Sequence, residues 1–587
     1  MTSAGGTLAR DSLRDFTATP RVLQLALMAV AVGSFGAFAA WVLIKLIALF
    51  TNLSYLGRLS VAPAAIPPHL PAWSVAVPVT GSLAIGLMAR FGSEKIRGHG
   101  IPEAIEAILI GRSRIQPKVA LLKPLSSAIS IGTGGPFGAE GPIIMTGGAL
   151  GSLFAQLFHL TSAERKTLLV AGAAAGMTAV FGTPIAAVLL AVELLLFEWK
   201  PRSFIPVTVA AIVATVWRPL LAGAGPLFPY PGNPAMPWWG LGLCALAGIV
   251  GGAQSSLMTL LLYAVEDLFR KLPIHWMWWP ALGGVVVGLG GLVDPAVLGV
   301  GYANIALLLT GGLGTAAIVT LLWDKMLVWI VALSSGTSGG VLAPLLMLGG
   351  ALGALEARWM PFGDSGFWAL LGMTAILGGT MRAPLTAILF AVELTGNFHV
   401  LPALLCASAA GYGFTVLAMG RSMLTERIAR RGLHLTREYG VDPFAVMRVG
   451  EIMARPADTL SAAMTVDEAI AFFGSGDERH KSYPVVKPDG RLAGLISRGD
   501  VLRWTRQGAN GGDLLADVCT EVATAFPDET AGALADRMSQ GRFSRVPVIA
   551  RDSRKLVGLV TRRELLRVRS LALQAENARH GPVKLPG

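Results

Sequence analysis

The sequence predicts an all-α polytopic membrane domain of two repeated halves with broken helices, followed by a smaller α/β cytoplasmic tandem domain. Three observations predict it: an apolar composition arranged in helix-length runs, a duplication within the apolar part, and a second duplication in the polar tail. Of 587 residues, 53% are hydrophobic and only 14% are charged, against about 25% charged in an ordinary soluble domain. Runs of about 20 apolar residues cross a bilayer as helices. "VLQLALMAVAVGSFGAFAAWVLI", Val22–Ile44, is the first such run. Others lie near Trp73–Met88, Phe204–Leu221, Trp239–Tyr263, Trp279–Val297, Ala316–Leu333 and Pro402–Ala418. About ten crossings or deep re-entrant segments are expected.

The apolar part repeats itself. "PIIMTGGALG" from Pro142 returns as "PLLMLGGALG" from Pro344, "GMTA" at Gly176 returns at Gly372, and "PIAAVLLAVEL" from Pro184 returns as "PLTAILFAVEL" from Pro384. Three matches in one order, each about 200 residues apart, divide the membrane part into halves at 21–225 and 226–420. Duplicated halves are common in transporters, whose substrate site lies between the repeats near the bilayer midplane. The matches leave open whether the halves are inverted or parallel.

Residues 1–20 form an N-terminal arm whose Arg10 and Arg14, with Arg21, favour the cytoplasm. The first apolar run is too long for the core of a signal peptide, so a retained membrane helix is expected. The net charge of +12 is spread through loops such as "GRSRIQPK" (Gly111–Lys118) and "ERKTLL" (Glu164–Leu169), which argues against a nucleic-acid partner. Cys244, Cys406 and Cys519 are isolated, so neither a disulfide framework nor a zinc site is indicated. With no metal-ligand cluster and no nucleophile–base constellation, the chain is not expected to be an enzyme.

After Gly420 the hydropathy falls. "GRSMLTERIARRGLHLTREYG" opens a linker, helical at its start, over 421–448. The tail then carries a module at 449–507, a second at 517–570, and a C-terminal stretch at 571–587. Tyr483–Trp504 resembles Val546–Val568, and each copy reads as strand, turn, strand, helix.

Three glycine-rich breaks interrupt the apolar runs: "RGHGIPEAIEA" (Arg97–Ala107), "GGPFGAEGPIIM" (Gly134–Met145) and "GTSGGVLAPLLM" (Gly336–Met347). Irregular backbone inside a membrane is tolerated only where protein or a wet cavity surrounds it. In each break glycines precede a proline near the start of the next helix, where proline is favoured. A helix start presents unpaired N–H groups and about half a positive charge, so three converging starts make an anion site without a fixed cation. Any one break taken alone would equally suit close helix packing.

"GHGIPE", "GAEGP" and "GGVLAP" occur in order, and with the paired tail modules the chain resembles the CLC family of chloride channels and chloride/proton antiporters followed by two CBS modules. The likeness runs from about Arg21 to Arg569. It implies an integral, multi-pass protein of the cell (inner) membrane, a homodimer embedded in the lipid bilayer, with chloride or a similar anion and protons as its partners and its CBS modules in the cytoplasm. It implies anion contacts at His99, Gly100, Ile101 and Pro102, at Gly138, Ala139 and Gly141, and at the N–H groups of Val341 and Leu342. It makes Glu140 the gating glutamate. Chemistry supports that role: an intramembrane carboxylate is costly and functional by default, and at a helix start it takes the place an anion would take. Charged, it competes with chloride; protonated, it releases the site.

Three positions depart from the family pattern. His99 stands where a coordinating serine is usual, and imidazole titrates near neutral pH in water. Leu424 stands in "SMLTE" where a tyrosine is common, which removes a hydroxyl ligand. Leu194 follows Glu193 where antiporters usually carry a proton-relay glutamate, leaving Glu193 as a substitute relay or, with Glu393, a helix-end hydrogen-bonding group. These departures favour channel-like or loosely proton-coupled chloride transport over tight antiport. No cofactor is required. The CBS resemblance implies an adenine nucleotide at Ser497 and Asp500, and at Thr561 and Glu564, with Arg498, Arg562 and Arg563 adding charge. A nucleotide sensor with a scaffold-like membrane domain is the rival from another class. A magnesium transporter is disfavoured by the scarcity of carboxylates in the apolar segments.

Overall fold

The computed structural model describes residues 20–109, 111, 113–431, 444, 447–475, 480–508, 510–520, 522–541, 543–568 and 570. Arg10, Arg14, Arg112, most of the linker and the stretch from 571 lie outside the described residues. The chain forms two units, Met1–Arg437 and Glu438–Gly587.

The first unit is helical: α1 (Arg21–Leu56), α2 (Ala76–Phe91), α3 (Ile101–Leu109), α4 (Pro117–Gly132), α5 (Glu140–Gln156), α6 (Ser162–Phe181), α7 (Pro184–Leu190, continued by a π-helical turn at Ala191–Leu196), α8 (Pro201–Leu221) and α9 (Gly240–Arg270). Then follow α10 (Trp279–Val293), α11 (Tyr302–Leu309), α12 (Thr315–Ser334), α13 (Leu342–Glu356), α14 (Ser365–Met381), α15 (Pro384–Thr395), α16 (Leu401–Ala418) and α17 (Met423–Ala429). Among the described residues, seven helical stretches are long and apolar enough to cross a membrane, among them Arg21–Leu56, Gly240–Arg270 and Thr315–Ser334, and each overlaps one of the seven apolar runs named above. Also among the described residues, four apolar helices are shorter: Pro184–Leu196, Leu342–Glu356, Ser365–Met381 and Pro384–Thr395.

Two of these, α13 and α14, lie at the centre together with α5 and α6. α5, α6, α13 and α14 are buried along most of their length, and a helix that is apolar all round belongs inside protein. Their glycines let the backbones touch, in the manner of small-residue packing in membranes. A methyl group on Gly147 or Gly172 would strike the other residue's carbonyl oxygen, and Gly349 and Gly372 face each other in the same way. The two contacts join α5 to α6 and α13 to α14, so each half carries one.

The halves are inverted. Glu193, near the end of the α7 segment, accepts hydrogen bonds from the Thr386 N–H at 2.8 Å and hydroxyl at 2.6 Å, at the start of α15. Glu393, near the end of α15, accepts from the Ile185 and Ala186 N–H groups at 3.0 and 2.8 Å, at the start of α7. Two corresponding helices whose ends cap each other's beginnings run antiparallel. A two-fold axis perpendicular to this helix pair therefore relates the two segments, the arrangement of inverted-topology repeats.

The second unit contains a three-stranded sheet, β1 (Leu460–Ser461), β2 (Ser482–Val486) and β3 (Leu492–Ser497), in which β1 and β2 are parallel and β2 and β3 antiparallel. β4 (Arg545–Ile549) and β5 (Leu556–Thr561) form an antiparallel pair. Val485 faces Gly494 and Val548 faces Gly558, and each pair of strands has a register shift just after that valine. Helices of Val466–Gly474 and Arg498–Gln507 cover the first sheet's core and Ala531–Gln540 packs on the second.

Gly372→Val places a branched side chain against the Gly349 carbonyl. It is expected to destabilise the membrane unit by about 1–3 kcal/mol through overpacking, read as a lower midpoint of thermal unfolding in detergent. Gly172→Val is expected to cost a similar amount: the α5–α6 contact places Gly172, one turn before the Gly176 that the GMTA match aligns, where Gly372 lies in the other half.

Candidate functional site

The three breaks are stitched to one another by backbone hydrogen bonds. Gly98 N–H donates to Thr337 O at 2.8 Å, Gly340 N–H donates to Gly138 O at 2.8 Å, and Gly138 N–H returns to Gly340 O at 3.2 Å. Gly98 and Gly100 adopt φ values of 87° and 88°, a region that side chains disfavour. A methyl group on Gly100 would strike the Gly141 carbonyl, and one on Gly141 would strike the His99 carbonyl. The starts of α3, α5 and α13 therefore meet at one point, with Ile101, Glu140 and Leu342 as their first residues. All three ends are buried.

Buried Lys123 on α4 holds this arrangement from behind. Its ammonium donates to Ile96 O at 2.8 Å, Gly98 O at 2.7 Å and Ser338 Oγ at 3.0 Å. Ser338 Oγ also bonds Ser126 and Ser127. One side chain thus ties the first break to the third.

Glu140 is fully buried. Its Oε1 accepts the Ala343 N–H at 2.9 Å, while Oε2 is buried with no hydrogen-bond partner among the described residues. Methyl groups on Gly138 or Gly340 would hit this carboxylate. It therefore fills a slot between two glycines, on the amide end of α13, which favours negative charge. Leaving one buried acceptor unmade costs about 1–3 kcal/mol, so the seat is a marginal one.

A family model described as voltage gated chloride channel matches residues 80–416. The chain belongs to the voltage-gated chloride channel (CLC) family. CBS domain models match residues 449–506 and 515–571. The chain is 30% identical over 386 residues to the H(+)/Cl(-) exchange transporter ClcA of Vibrio cholerae serotype O1 (strain M66-2), covering 62% of this chain and 81% of that protein. It is 31% identical over 363 residues to the protein of the same name from Cronobacter sakazakii, covering 59% of this chain and 76% of that one. Among solved structures, a slow cyanobacterial Cl-/H+ antiporter superposes with a TM-score of 0.62 at 23% identity, covering 71% of this chain and 99% of that chain. A eukaryotic CLC transporter superposes with a TM-score of 0.57 at 18% identity, covering 93% and 98%. At those identities the structural likeness is one of fold.

In this CLC chain Val341 caps α13 and Leu342 begins it, and the amide that holds the carboxylate is the next one, Ala343. The sequence reading named no partner for the Glu140 carboxylate itself. The rule that the first turn of a helix leaves its N–H groups unpaired includes Ala343. Lys123 and Ser338 were also missed, although a lysine inside an apolar run is a signal in itself.

His99 is 1% exposed and its Nδ1 has no partner among the described residues. Gly100 N–H donates to Glu103 Oε2 at 2.9 Å, a side chain closing its own helix start. Glu103 pairs with Arg427 at 3.5 Å and Arg431 at 3.8 Å. Beside them a cavity of about 370 Å³ is lined by Arg97, Glu103, Glu106, Met145, Arg427 and Arg431, among others. Leu424 is fully buried in the first turn of α17. A tyrosine from elsewhere reaches that turn: Tyr263 on α9 donates to Met423 O at 2.5 Å. Pro102, Gly138, Ala139 and Gly141 are all buried around the same point. Glu193 lies apart from it, at the α15 start, and Leu194 is fully buried.

In the CBS unit, Ser497 and Asp500 bond each other. The Ser497 N–H and hydroxyl donate to Asp500 Oδ2 at 2.9 and 2.6 Å, and Asp500 N–H returns to Ser497 Oγ at 3.3 Å. Arg503 holds the other Asp500 oxygen. Thr561 N–H donates to Glu564 Oε2 at 2.8 Å and its hydroxyl bonds the same oxygen. Both pairs hold the ends of their own helices, a reciprocal capping box in the first module. Ser497→Ala is expected to cost the CBS unit about 1 kcal/mol, measured by denaturant unfolding of the full chain followed at Trp504.

Proposed function

We propose that this protein moves chloride across the membrane through the junction of α3, α5 and α13, with Glu140 as the gate, in a channel-like or loosely proton-coupled manner. The observation that carries the reading is the seat of Glu140: a carboxylate on the Ala343 amide, in a glycine-walled slot that suits an anion equally well. The proposed cycle needs only competition. Ionised Glu140 fills the slot, and one of its oxygens goes unbonded. Protonation weakens its hold on the amide end, the side chain leaves, and chloride takes its place. The return of the ionised side chain expels the ion.

Backbone amides suit this task because they bind chloride without the full strength of a fixed cation, so the ion also leaves. Glycines at 138 and 340 keep the slot free of side chains. Lys123 keeps the loops in register and puts positive charge near the path.

Loose coupling is supported by three features. Glu193 is engaged at the start of α15, Leu194 cannot carry a proton, and Leu424 offers no hydroxyl to the ion. The named relatives are H(+)/Cl(-) exchange transporters, which keeps tight exchange as the alternative. A nucleotide sensor with a scaffold-like membrane domain is a further rival, and chloride flux from purified protein rejects it.

Reconstituted protein is expected to pass chloride at a rate that changes with pH. Glu140→Gln keeps the flux, abolishes accompanying proton movement and flattens the pH response. A steep pH response in Glu140→Gln, read with chloride and proton electrodes together, rejects Glu140 as the gate. In the same assay on the unmodified protein, a chloride gradient is expected to drive little uphill proton movement. Proton pumping at a fixed ratio rejects loose coupling in favour of tight antiport.

A further inference from the structure

At the end of α5 away from Glu140, two loops are pinned in place around a cavity. The first loop joins α3 to α4. Buried Ser152 on α5 donates from its hydroxyl to Ser113 O at 2.8 Å and accepts the Ile115 N–H at 3.1 Å. Ser113 has φ of 57°, a region costly for a residue with a side chain. The Ser152 bonds hold that turn, and the residue it presents is Arg114. The second loop joins α5 to α6. Thr161 and Glu164 form a reciprocal capping box at the α6 start, and the next residue, Arg165, donates from Nη1 to Leu160 O at 2.7 Å. The cavity is about 550 Å³ and is lined by Arg114, Gln156, Phe158, His159, Thr161 and Arg165, among others.

Its lining suits negative charge. No carboxylate lines it among the described residues. The Arg114 guanidinium, which also lines the cavity beside Glu103, and the His159 ring have no hydrogen-bond or ion-pair partner among those residues. Arg21, Arg427 and Arg431, by contrast, each pair with a glutamate. The acid next in sequence to Arg165 is Glu164, and it is held by Arg21 and Thr161. Apolar surface adjoins the charge. Leu157 is 77% exposed and Phe158 43%. The Phe158 ring lies 5.2 Å from Phe154, which lies 5.9 Å from exposed Phe35 on α1, so the rim of the cavity continues as an aromatic surface on two membrane helices. Arg21, Glu164 and Arg202 line a neighbouring cavity that shares Thr161. The basic residues Arg21, Arg114, Arg165, Lys166 and Arg202 thus gather at one end of the unit, the bias that marks the cytoplasmic side.

We propose that this cavity binds the phosphate headgroup of an anionic phospholipid from the cytoplasmic leaflet. Arg114 and Arg165 supply the charge, His159 offers an N–H, and the acyl chains lie on Leu157, Phe158 and Phe35. Anionic lipid is concentrated in that leaflet, and basic pockets between membrane helices on that side suit its headgroups. A soluble phosphate would gain nothing from the exposed rings, so the lipid is the occupant the surface favours. α5 begins at Glu140 and ends at this loop, so a bound lipid anchors the far end of the helix that carries the acid.

The test is the thermal unfolding midpoint of the delipidated full chain in detergent, titrated with phosphatidylglycerol in mixed micelles. Phosphatidylglycerol is expected to raise the midpoint saturably, and phosphatidylcholine to leave it unchanged. Arg114→Gln and Arg165→Gln are each expected to raise the half-saturating lipid fraction about fivefold, and Arg202→Gln, at the same end but in the neighbouring cavity, by less than about twofold. Equal stabilisation by the two lipids, or a shift in Arg202→Gln as large as in Arg114→Gln, overturns the site in favour of diffuse attraction to a charged surface. An unshifted Arg114→Gln overturns it too, and that exposed residue decides alone if Arg165→Gln does not fold. Glycerol phosphate, which carries the charge without acyl chains, is expected not to compete at the same concentration. Competition at parity assigns the cavity to soluble phosphates and overturns the lipid as its occupant. No chloride moves in this measurement, so its outcome is independent of whether Glu140 gates the path.

Discussion

Everything else in the membrane unit serves one contact, the Glu140 carboxylate on the Ala343 amide. A charged group in the middle of an apolar protein is tolerated only with partners, and this one has half of what it needs. Full satisfaction would lock it in place. Complete neglect would leave it uncharged. The Ala343 amide, at the end of a helix dipole, favours its negative charge. The glycines at 138 and 340 follow from that contact, since a side chain at either would strike the carboxylate.

Such a slot demands irregular backbone at membrane depth, and irregular backbone demands shelter. The four buried central helices provide it, and they come close enough to do so because glycines face glycines in both halves. Lys123 completes the support: it spans from α4 to the carbonyls at the first break and to Ser338 of the third. Positive charge is thereby built into the scaffold without a lysine or arginine side chain being placed in the slot.

Much of this was written plainly in the sequence. The apolar runs announced the long helices, because length and hydropathy are nearly sufficient to place a spanning segment. The match of Pro142–Gly151 with Pro344–Gly353 disclosed the duplication, and the three glycine–proline breaks identified the segments that meet. Orientation of the halves was not legible, since a repeat of residue types carries no direction; the reciprocal bonds of Glu193 and Glu393 supply it. The amide of Ala343 was hidden because a backbone group has no letter of its own. Lys123 was visible as a charge in an apolar run, but its purpose needed the carbonyls it reaches, which lie more than 20 residues away in the chain. In the tail, Ser497 and Asp500 fit two roles from spacing alone, a ligand contact or a capping box, and spacing could not rank them.

The reciprocal grip of α7 and α15 makes the halves interdependent. Each half brings a helix start that needs an acid and a helix end that offers one, and neither satisfies itself. Either half alone would leave a carboxylate and two backbone donors without these partners, so the duplicated segments are complementary as well as similar.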